Sequence, residues 1–184
     1  MPDTNHQYDS IIEKCRTIFI HKTQDYGTAW RVLRTISIVD QIYIKAQRIR
    51  TIQEKGEQKV GHLGDDIASE FIGIINYSII GLIQMELTDD DPEELDVATV
   101  EALYNKYFWS AKTLMQSKNH DYGEAWRNMS QESFDDLILM KLQRMKQILA
   151  NKGKTLISEG LDANYYDMIN YAVFALILME ESNS

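Results

Sequence analysis

The sequence is poor in cysteine and its most apolar run is short, and each feature argues against a class of protein. A single cysteine, Cys15, excludes an internal disulfide framework and a zinc site built from cysteines, and it fits a reducing compartment. The most apolar segment, residues 171–179, is about half the ~20 residues that a membrane-spanning helix needs, so we expect a buried helix there. The polar N-terminus has no apolar signal segment. We therefore expect a cytoplasmic protein with no membrane partner.

Positive charge is also scarce. The chain contains 19 lysines and arginines against 28 aspartates and glutamates, which gives a formal net charge of -9. Extended nucleic-acid binding is therefore not expected, because the phosphate backbone favours clustered Lys and Arg and disfavours an acidic surface. An anionic ligand would therefore have to bind in a local basic pocket.

Several familiar motifs are missing as well. The chain has no phosphate-binding P-loop, no glycine fingerprint of a dinucleotide-binding fold and no paired-histidine metal motif. Its four histidines do not recur between the two copies described next, so a nucleophilic triad has no support. No segment shows the alternation of apolar and polar residues that is typical of a strand. The expected fold class is all-α.

The sequence does contain an internal repeat. The phrase DYGTAW at residues 25–30 returns as DYGEAW at residues 121–126. At this offset of 96, residues 16–49 and 112–145 are identical at 14 of 34 positions. After a loop of different length the offset becomes 94, and INYSIIGLIQME aligns with INYAVFALILME, which pairs Asn76 with Asn170. The chain is therefore a tandem duplication.

Each copy is predicted to form three helices, and the two copies to form one compact, pseudo-twofold bundle. We place the first repeat at residues 1–87, an acidic linker at 88–96 and the second repeat at 97–184. The helices are predicted at about 8–22, 37–56 and 66–87, and at about 97–118, 133–153 and 162–181. Glycine in the Asp-Tyr-Gly phrase should end the first helix of each copy. Ser37 and Ser133, each followed three residues later by Asp, should start the second.

Four basic residues are kept in both copies. The pairs are Lys22 and Lys118, Arg31 and Arg127, Lys45 and Lys141, and Arg48 and Arg144. Isolated surface charges rarely contribute more than about 1 kcal/mol, so they should drift after a duplication. A basic cluster inside an acidic protein suits an anionic small molecule, since Arg offers a bidentate fork to phosphate and Lys a compact charge. The alternative is a buried structural network that joins these bases to Asp25 and Asp40.

The repeated phrase also contains aromatic residues, Tyr26 and Trp30 in the first copy and Tyr122 and Trp126 in the second. Beside a basic cluster they could stack on a nucleobase, an interaction that contributes roughly 1 to 3 kcal/mol. They could equally pack into the core. The aromatic residues taken alone favour the core.

Carboxylates near the last helix suggest a metal. Glu159, Asp162 and Asp167 could share one face and hold magnesium, which prefers oxygen ligands. The first copy has Ala68 and Gly73 at the positions of Asp162 and Asp167, so the two copies would not bind metal equally. The helix dipole explains acids near a helix start without a metal. Asp167 lies in an otherwise apolar helix, where we expect a partner such as Arg144 or a metal.

The phrases KTQDYGTAWR and KNHDYGEAWR, each followed by a KxxR helix and an INY helix, resemble the nucleotide modification associated domain 1 family. The resemblance covers nearly the whole chain, once per half. It implies an all-helical domain linked to nucleotide or modified-base metabolism. A weaker similarity, EGLD at residues 159–162, is to the all-α nucleoside triphosphate pyrophosphohydrolases, although their paired-glutamate helix motif has no clear match here.

Two functions from different classes are expected to compete. The first is binding of a phosphorylated, nucleoside-like small molecule, with magnesium-dependent hydrolysis of a nucleoside phosphate if the protein is an enzyme. The second is a non-catalytic helical scaffold or adaptor, with a homodimer as a possible assembly. The predicted ligand-binding residues are Lys22, Asp25, Tyr26, Trp30, Arg31, Lys45, Arg48 and Asn76, with Lys118, Asp121, Tyr122, Trp126, Arg127, Lys141, Arg144 and Asn170.

Overall fold

The computed structural model describes residues 3–56, 63–152 and 160–183. Six α-helices form the described part of the chain, which contains no strand, so the all-α prediction is confirmed. The first half contributes α1 (Thr4–Tyr26), α2 (Thr35–Lys55) and α3 (Leu63–Glu86), and the second half contributes α4 (Val97–Tyr122), α5 (Gln131–Ala150) and α6 (Leu161–Ser182).

Glycine ends the first helix of each half, as the sequence predicted. Gly27 follows α1 with φ 67°, and its N–H donates to the Thr23 carbonyl. Gly123 follows α4 with φ 60°, and its N–H donates to the Asn119 carbonyl. A positive φ is a conformation that glycine adopts without the steric cost of a Cβ. The chain then turns through short 3-10 helices at Ala29–Val32 and Ala125–Asn128, which the sequence analysis did not predict.

The predicted starts of α2 and α5 are wrong. Both helices begin two residues before the serine that was expected to cap them, at Thr35 and at Gln131. The N–H of Ser37 donates to the Arg34 carbonyl, and the N–H of Ser133 donates to the Ser130 carbonyl, each at 3.0 Å. The main chain therefore satisfies these donors, and no side-chain cap is made by the residue that precedes either helix.

Corresponding helices of the two halves pack against each other: α1 on α4, α2 on α5 and α3 on α6. Ion pairs show that α2 and α5 are antiparallel, because Arg50 bonds to Asp136 at 2.9 Å while Lys146 lies 3.6 Å from Asp40. These two pairs occupy equivalent positions, as a pseudo-twofold axis requires. Retention of Asp40 and Asp136 is therefore explained by contacts between the halves.

Two buried asparagine–tyrosine pairs join the halves in the same symmetric way. Asn76 accepts a hydrogen bond from the Tyr104 hydroxyl at 2.8 Å, and Asn170 accepts one from Tyr8 at 2.7 Å. Each amide nitrogen also donates to a carbonyl on the first helix of its own half, at 3.1 Å in both cases. Burial raises the pKa of both tyrosines well above the usual value, which keeps the hydroxyls protonated as donors.

The two third helices, α3 and α6, form the centre of the bundle. A Cβ built at Gly81 of α3 would overlap the ring of Tyr165 of α6, so the missing side chain permits this close approach. Residues 172–177 of α6 are buried, which confirms the buried helix expected there. Residues 66–86 of α3 are long and apolar enough to span a membrane, and 56% of that stretch is buried inside the protein. Such burial is typical of a core helix.

Candidate functional site

A pocket of about 640 Å³ lies in the first half, between α1, the 3-10 helix at Ala29–Val32, α2 and α3. Ligand pockets commonly measure roughly 300 to 1,000 Å³, so this one has the size of a small-molecule site. Most of its wall is apolar or aromatic. The residues that line it include Phe19, Lys22, Tyr26, Trp30, Lys45, Asn76, Tyr77 and Ile80, with Gly73 on the wall formed by α3.

Two lysines of the repeat line this pocket. Lys22 extends from α1 and is exposed, and Lys45 extends from α2 across Gly73 of α3. A Cβ built at Gly73 would lie 2.8 Å from Cδ and Cε of Lys45, so the lysine stem fills the space above the glycine. The Lys45 ammonium lies 5.7 Å from the centroid of the Tyr77 ring. Neither lysine forms an ion pair with any residue that the structure describes.

The corresponding lysines of the second half share one carboxylate. Lys118 bonds to Oδ1 of Asp167 at 2.9 Å, and Lys141 bonds to Oδ2 of the same residue at 3.0 Å. Asp167 aligns with Gly73 at the offset of 94. The second half therefore holds an anion of its own between its two lysines, whereas the first half has a glycine at that position and two lysines that line a pocket.

The tryptophans of the repeat also differ between the halves: the one in the second half is packed in the core, and the one in the first half lines the pocket. Trp126 is 6% exposed, and its indole stacks on Phe174 with ring centroids 4.1 Å apart and planes 6° from parallel. Trp30 is half-buried and lines the pocket, because the position of Phe174 is taken by Ile80. Its nearest aromatic partner is Phe19, tilted at a centroid distance of 6.3 Å. Trp126 is therefore a core residue, and Trp30 is a wall of a pocket.

The arginines of the repeated phrase have structural partners. Arg31 donates to linker carbonyls, at 3.0 Å to Thr88 and 3.2 Å to Pro92, and it does not line the pocket. Arg127 donates to side chains at the start of α1 and the end of α6, including Gln7 at 2.6 Å. Both guanidinium groups thus hold chain segments together. This favours the structural alternative over phosphate binding at these two positions.

The second arginine of the predicted cluster is also engaged. Arg48 bonds to Asp66 at 3.2 Å and lies 3.5 Å from Glu70, both on α3. Its counterpart Arg144 is half-buried on α5. Of the four basic residues that the sequence grouped together in the first half, Lys22 and Lys45 line the pocket, whereas Arg31 and Arg48 do not.

The family comparison agrees with the repeat. A model of the nucleotide modification associated domain 1 family matches residues 22–85 and again residues 118–179, together more than half of the chain. The chain belongs to this family. Comparison with curated proteins and with solved structures gives no match.

In each half, the region that matches the nucleotide modification associated domain 1 model begins at the first repeated lysine, Lys22 or Lys118. It also includes the second repeated lysine, Lys45 or Lys141. The remaining predicted residues of the domain lie at its edge. Tyr26 and Tyr122 are 77% and 74% exposed, and Asp25 and Asp121 are exposed beside them. Tyr26 forms part of the pocket wall. In this family member the asparagines of the INY phrase, Asn76 and Asn170, serve the contact between the halves described above.

The predicted magnesium site is not assembled among the described residues of this domain. No group of three or more His, Cys, Asp or Glu that could hold a metal occurs there. Asp162 is exposed at the start of α6, and Glu159 lies outside the described residues. Asp167 has the charge partner that its burial requires, and that partner is a pair of lysines, Lys118 and Lys141, where Arg144 was expected. The magnesium site stays a prediction.

Sequence reasoning missed two of the pocket's components. Gly73 was noted as the counterpart of Asp167, but it was interpreted through metal binding and not through the lysines. The signal was present, because a charge lost from one copy while its partners persist leaves those partners available. Tyr77, whose ring lies near Lys45, recurs as Tyr171 in the repeated INY phrase and could have been found from that alignment.

Proposed function

We propose that the first-half pocket of this family member binds a phosphorylated, nucleoside-like small molecule. One observation carries the proposal: Lys118 and Lys141 each bind a different oxygen of Asp167, whereas Lys22 and Lys45 line a pocket and have a glycine, Gly73, at the position of that aspartate. A phosphate, like a carboxylate, presents several oxygens on one anionic centre, and it would take the place that Asp167 occupies in the other half. The contacts of Asp167 in the second half therefore indicate how an anionic group of the ligand would be bound in the first half.

The remainder of the pocket suits an aromatic ring. Trp30, Phe19 and Tyr26 lie on its walls, and planar rings stack on such side chains without a need for specific hydrogen bonds. A net charge of -9 makes nonspecific attraction of anions weak, so binding would depend on the local lysine pair. The family description supplies the link to nucleotides.

A structural function is favoured at other positions. Arg31, Arg127, Trp126 and the two asparagines make contacts that hold the bundle together, and this supports the scaffold alternative for those residues. The scaffold alternative has no use for two lysines that face a pocket. The two functions therefore make opposite predictions for the lysines.

The test is thermal melting of the purified protein against nucleosides and nucleoside phosphates. A ligand at 100 times its dissociation constant should stabilise the fold by about 2.7 kcal/mol. Replacement of Lys45→Gln should weaken binding about 10- to 100-fold, since a hydrogen bond to a charged group contributes roughly 1.5 to 3 kcal/mol. The matched variant Lys141→Gln removes the equivalent charge of the second half and should leave affinity unchanged.

Two results would decide for the scaffold: no shift with any compound, or equal affinity in the wild type and the Lys45 variant. Repetition of the panel with magnesium, followed by an assay for phosphate release, tests the predicted hydrolysis separately from binding. Release of phosphate that is lost with Lys45→Gln and kept with Lys141→Gln would place the reaction at the first-half pocket.

A further inference from the structure

The charged groups of the first-half pocket limit how much phosphate it accepts. Among the described residues that line the pocket, Lys22 and Lys45 are the charged ones, and the other lining residues are apolar, aromatic or neutral polar. A phosphate monoester carries about -1.5 to -2 charges at neutral pH. Two ammonium groups balance one such phosphate. A chain of two or three phosphates would bring further negative charge for which the described lining offers no cation.

The second half shows one anionic group satisfying both lysines. Asp167 uses one oxygen for Lys118 and the other for Lys141, at 2.9 and 3.0 Å, so a single anionic centre fits between the two ammonium groups. The lysines of the first half extend from the same positions on α1 and α2. These equivalent positions favour one phosphorus centre between the two ammonium groups over an extended phosphate chain.

Nearby arginines do not add to the positive charge of the pocket. Arg31 is bonded to linker carbonyls, and Arg48 is bonded to carboxylates of α3. The rim of the pocket, the edge near Gly27, is instead acidic. The Glu94 carboxylate lies so close to Gly27 that a Cβ at this glycine would overlap it, and Asp25 is exposed two residues earlier.

A longer phosphate chain would have two directions to follow. Toward the interior it would meet Phe19, Ile72 and Ile80, where an unpaired charge is costly. Past Gly27, which lines the pocket, it would meet the carboxylate of Glu94. We infer that the ligand carries a single phosphate, so that the site selects nucleoside monophosphates over nucleosides, diphosphates and triphosphates. This inference rests on the proposed function and specifies its ligand class.

The experiment is isothermal titration of the full chain in the absence of divalent metal. For each common base, the nucleoside and its mono-, di- and triphosphate are compared. For the base that binds most tightly, the monophosphate should exceed the nucleoside and the triphosphate by about tenfold or more, which corresponds to ~1.4 kcal/mol for each comparison. A triphosphate that binds as tightly as the monophosphate would overturn the inference.

Two rim variants sharpen the test. Glu94→Gln removes the carboxylate beside Gly27 and should narrow the preference for monophosphate over triphosphate by about threefold, because a like charge in partial solvent contributes under ~1 kcal/mol. Glu93→Gln removes the neighbouring exposed charge and should leave the preference unchanged. An unchanged preference in Glu94→Gln would overturn the role of the acidic rim.

The titrations distinguish failure of the single-phosphate inference from failure of the proposed binding function. If no compound binds, or if binding is insensitive to Lys45→Gln, both are overturned. If phosphorylated compounds bind and require Lys45, but the triphosphate equals or exceeds the monophosphate, the binding function stands and the single-phosphate inference falls.

Discussion

Asp135 is a buried carboxyl where the first half has an apolar residue. It aligns with Val39, and both side chains are fully buried. Neither oxygen of Asp135 has a hydrogen-bond partner in the described structure. Burial, together with the charge of Asp136, raises the pKa of this carboxyl to about 8. The folded protein therefore keeps Asp135 protonated at neutral pH.

This pKa predicts a pH dependence of stability. The unfolded carboxyl ionises near its usual pKa of about 4, so between about pH 4 and pH 8 the folded state binds more protons than the unfolded state. The free energy of unfolding should fall as pH rises through this window and level off above it. Asp135→Val should remove the slope and stabilise the protein at pH 7. Urea denaturation at several pH values would measure both, and a flat wild-type profile would contradict the assignment.

The two tryptophans of the repeat should differ in their contribution to stability. Trp126 is nearly buried and stacked on Phe174, whereas Trp30 is half-buried on the pocket wall. Trp126→Ala should lower the free energy of unfolding by about 3 to 5 kcal/mol, and Trp30→Ala should cost distinctly less. Trp30→Ala should also weaken nucleotide binding by up to roughly 3 kcal/mol, the value of a lost stacking contact. Equal losses of stability in urea would refute the difference.

The sequence could not distinguish these tryptophans, because they occur in the same phrase. Their difference comes from residues about fifty positions away, Phe174 in one half and Ile80 in the other. The charge of Asp167 was predicted to need a partner, and it has two. Their identity, Lys118 and Lys141, depended on helix packing that a single sequence does not give.

At the scale of the elements, the linker between α3 and α4 is bonded to the first half by the side chains of Arg31 and Thr28. Arg31 bonds to the carbonyls of Thr88, Asp91 and Pro92, and to the Gln84 side chain of α3. These carbonyls lie outside any helix and need donors. The repeated arginine is therefore explained by an element contact in the first half.

Replacement of Arg31→Met tests this assignment. Loss of the guanidinium removes the donor to the carbonyls of Asp91 and Pro92, so stability should fall by about 1 to 3 kcal/mol and amide exchange in residues 88–92 should accelerate. Arg34→Met, an exposed charge on the same segment, is the matched control and should change neither. If Arg31→Met instead abolished nucleotide binding while the linker exchanged at its normal rate, the phosphate role first predicted for Arg31 would return.

Helix ends were predictable where chemistry is local. Gly27 and Gly123 end their helices at positive φ, as glycine permits. The starts of α2 and α5 were misplaced, because main-chain bonds from Ser37 and Ser133 replaced the expected side-chain caps. The 3-10 helices at Ala29–Val32 and Ala125–Asn128 had no distinctive sequence pattern.

For the whole molecule, the duplication predicted the architecture but not its asymmetry. Equivalent helices pack against each other across the pseudo-twofold axis, and α2 and α5 do so with matched ion pairs, Arg50 with Asp136 and Lys146 with Asp40. The two lysine pairs occupy equivalent positions in the two halves, but the residues beside them differ. One glycine–aspartate difference leaves the first-half site open and fills the second. The chain should therefore bind one ligand, in its first half.

The most direct test is the binding stoichiometry of the wild type and of Gly73→Asp, measured by isothermal titration with nucleoside monophosphates. The variant places a carboxylate between Lys22 and Lys45, as Asp167 lies between their counterparts, and the flexible end of Lys45 can move to admit it. Gly73→Asn is the isosteric, uncharged control. We predict one site per chain in the wild type and binding at least tenfold weaker in Gly73→Asp than in Gly73→Asn. Two sites per chain, or full affinity in Gly73→Asp, would contradict the account.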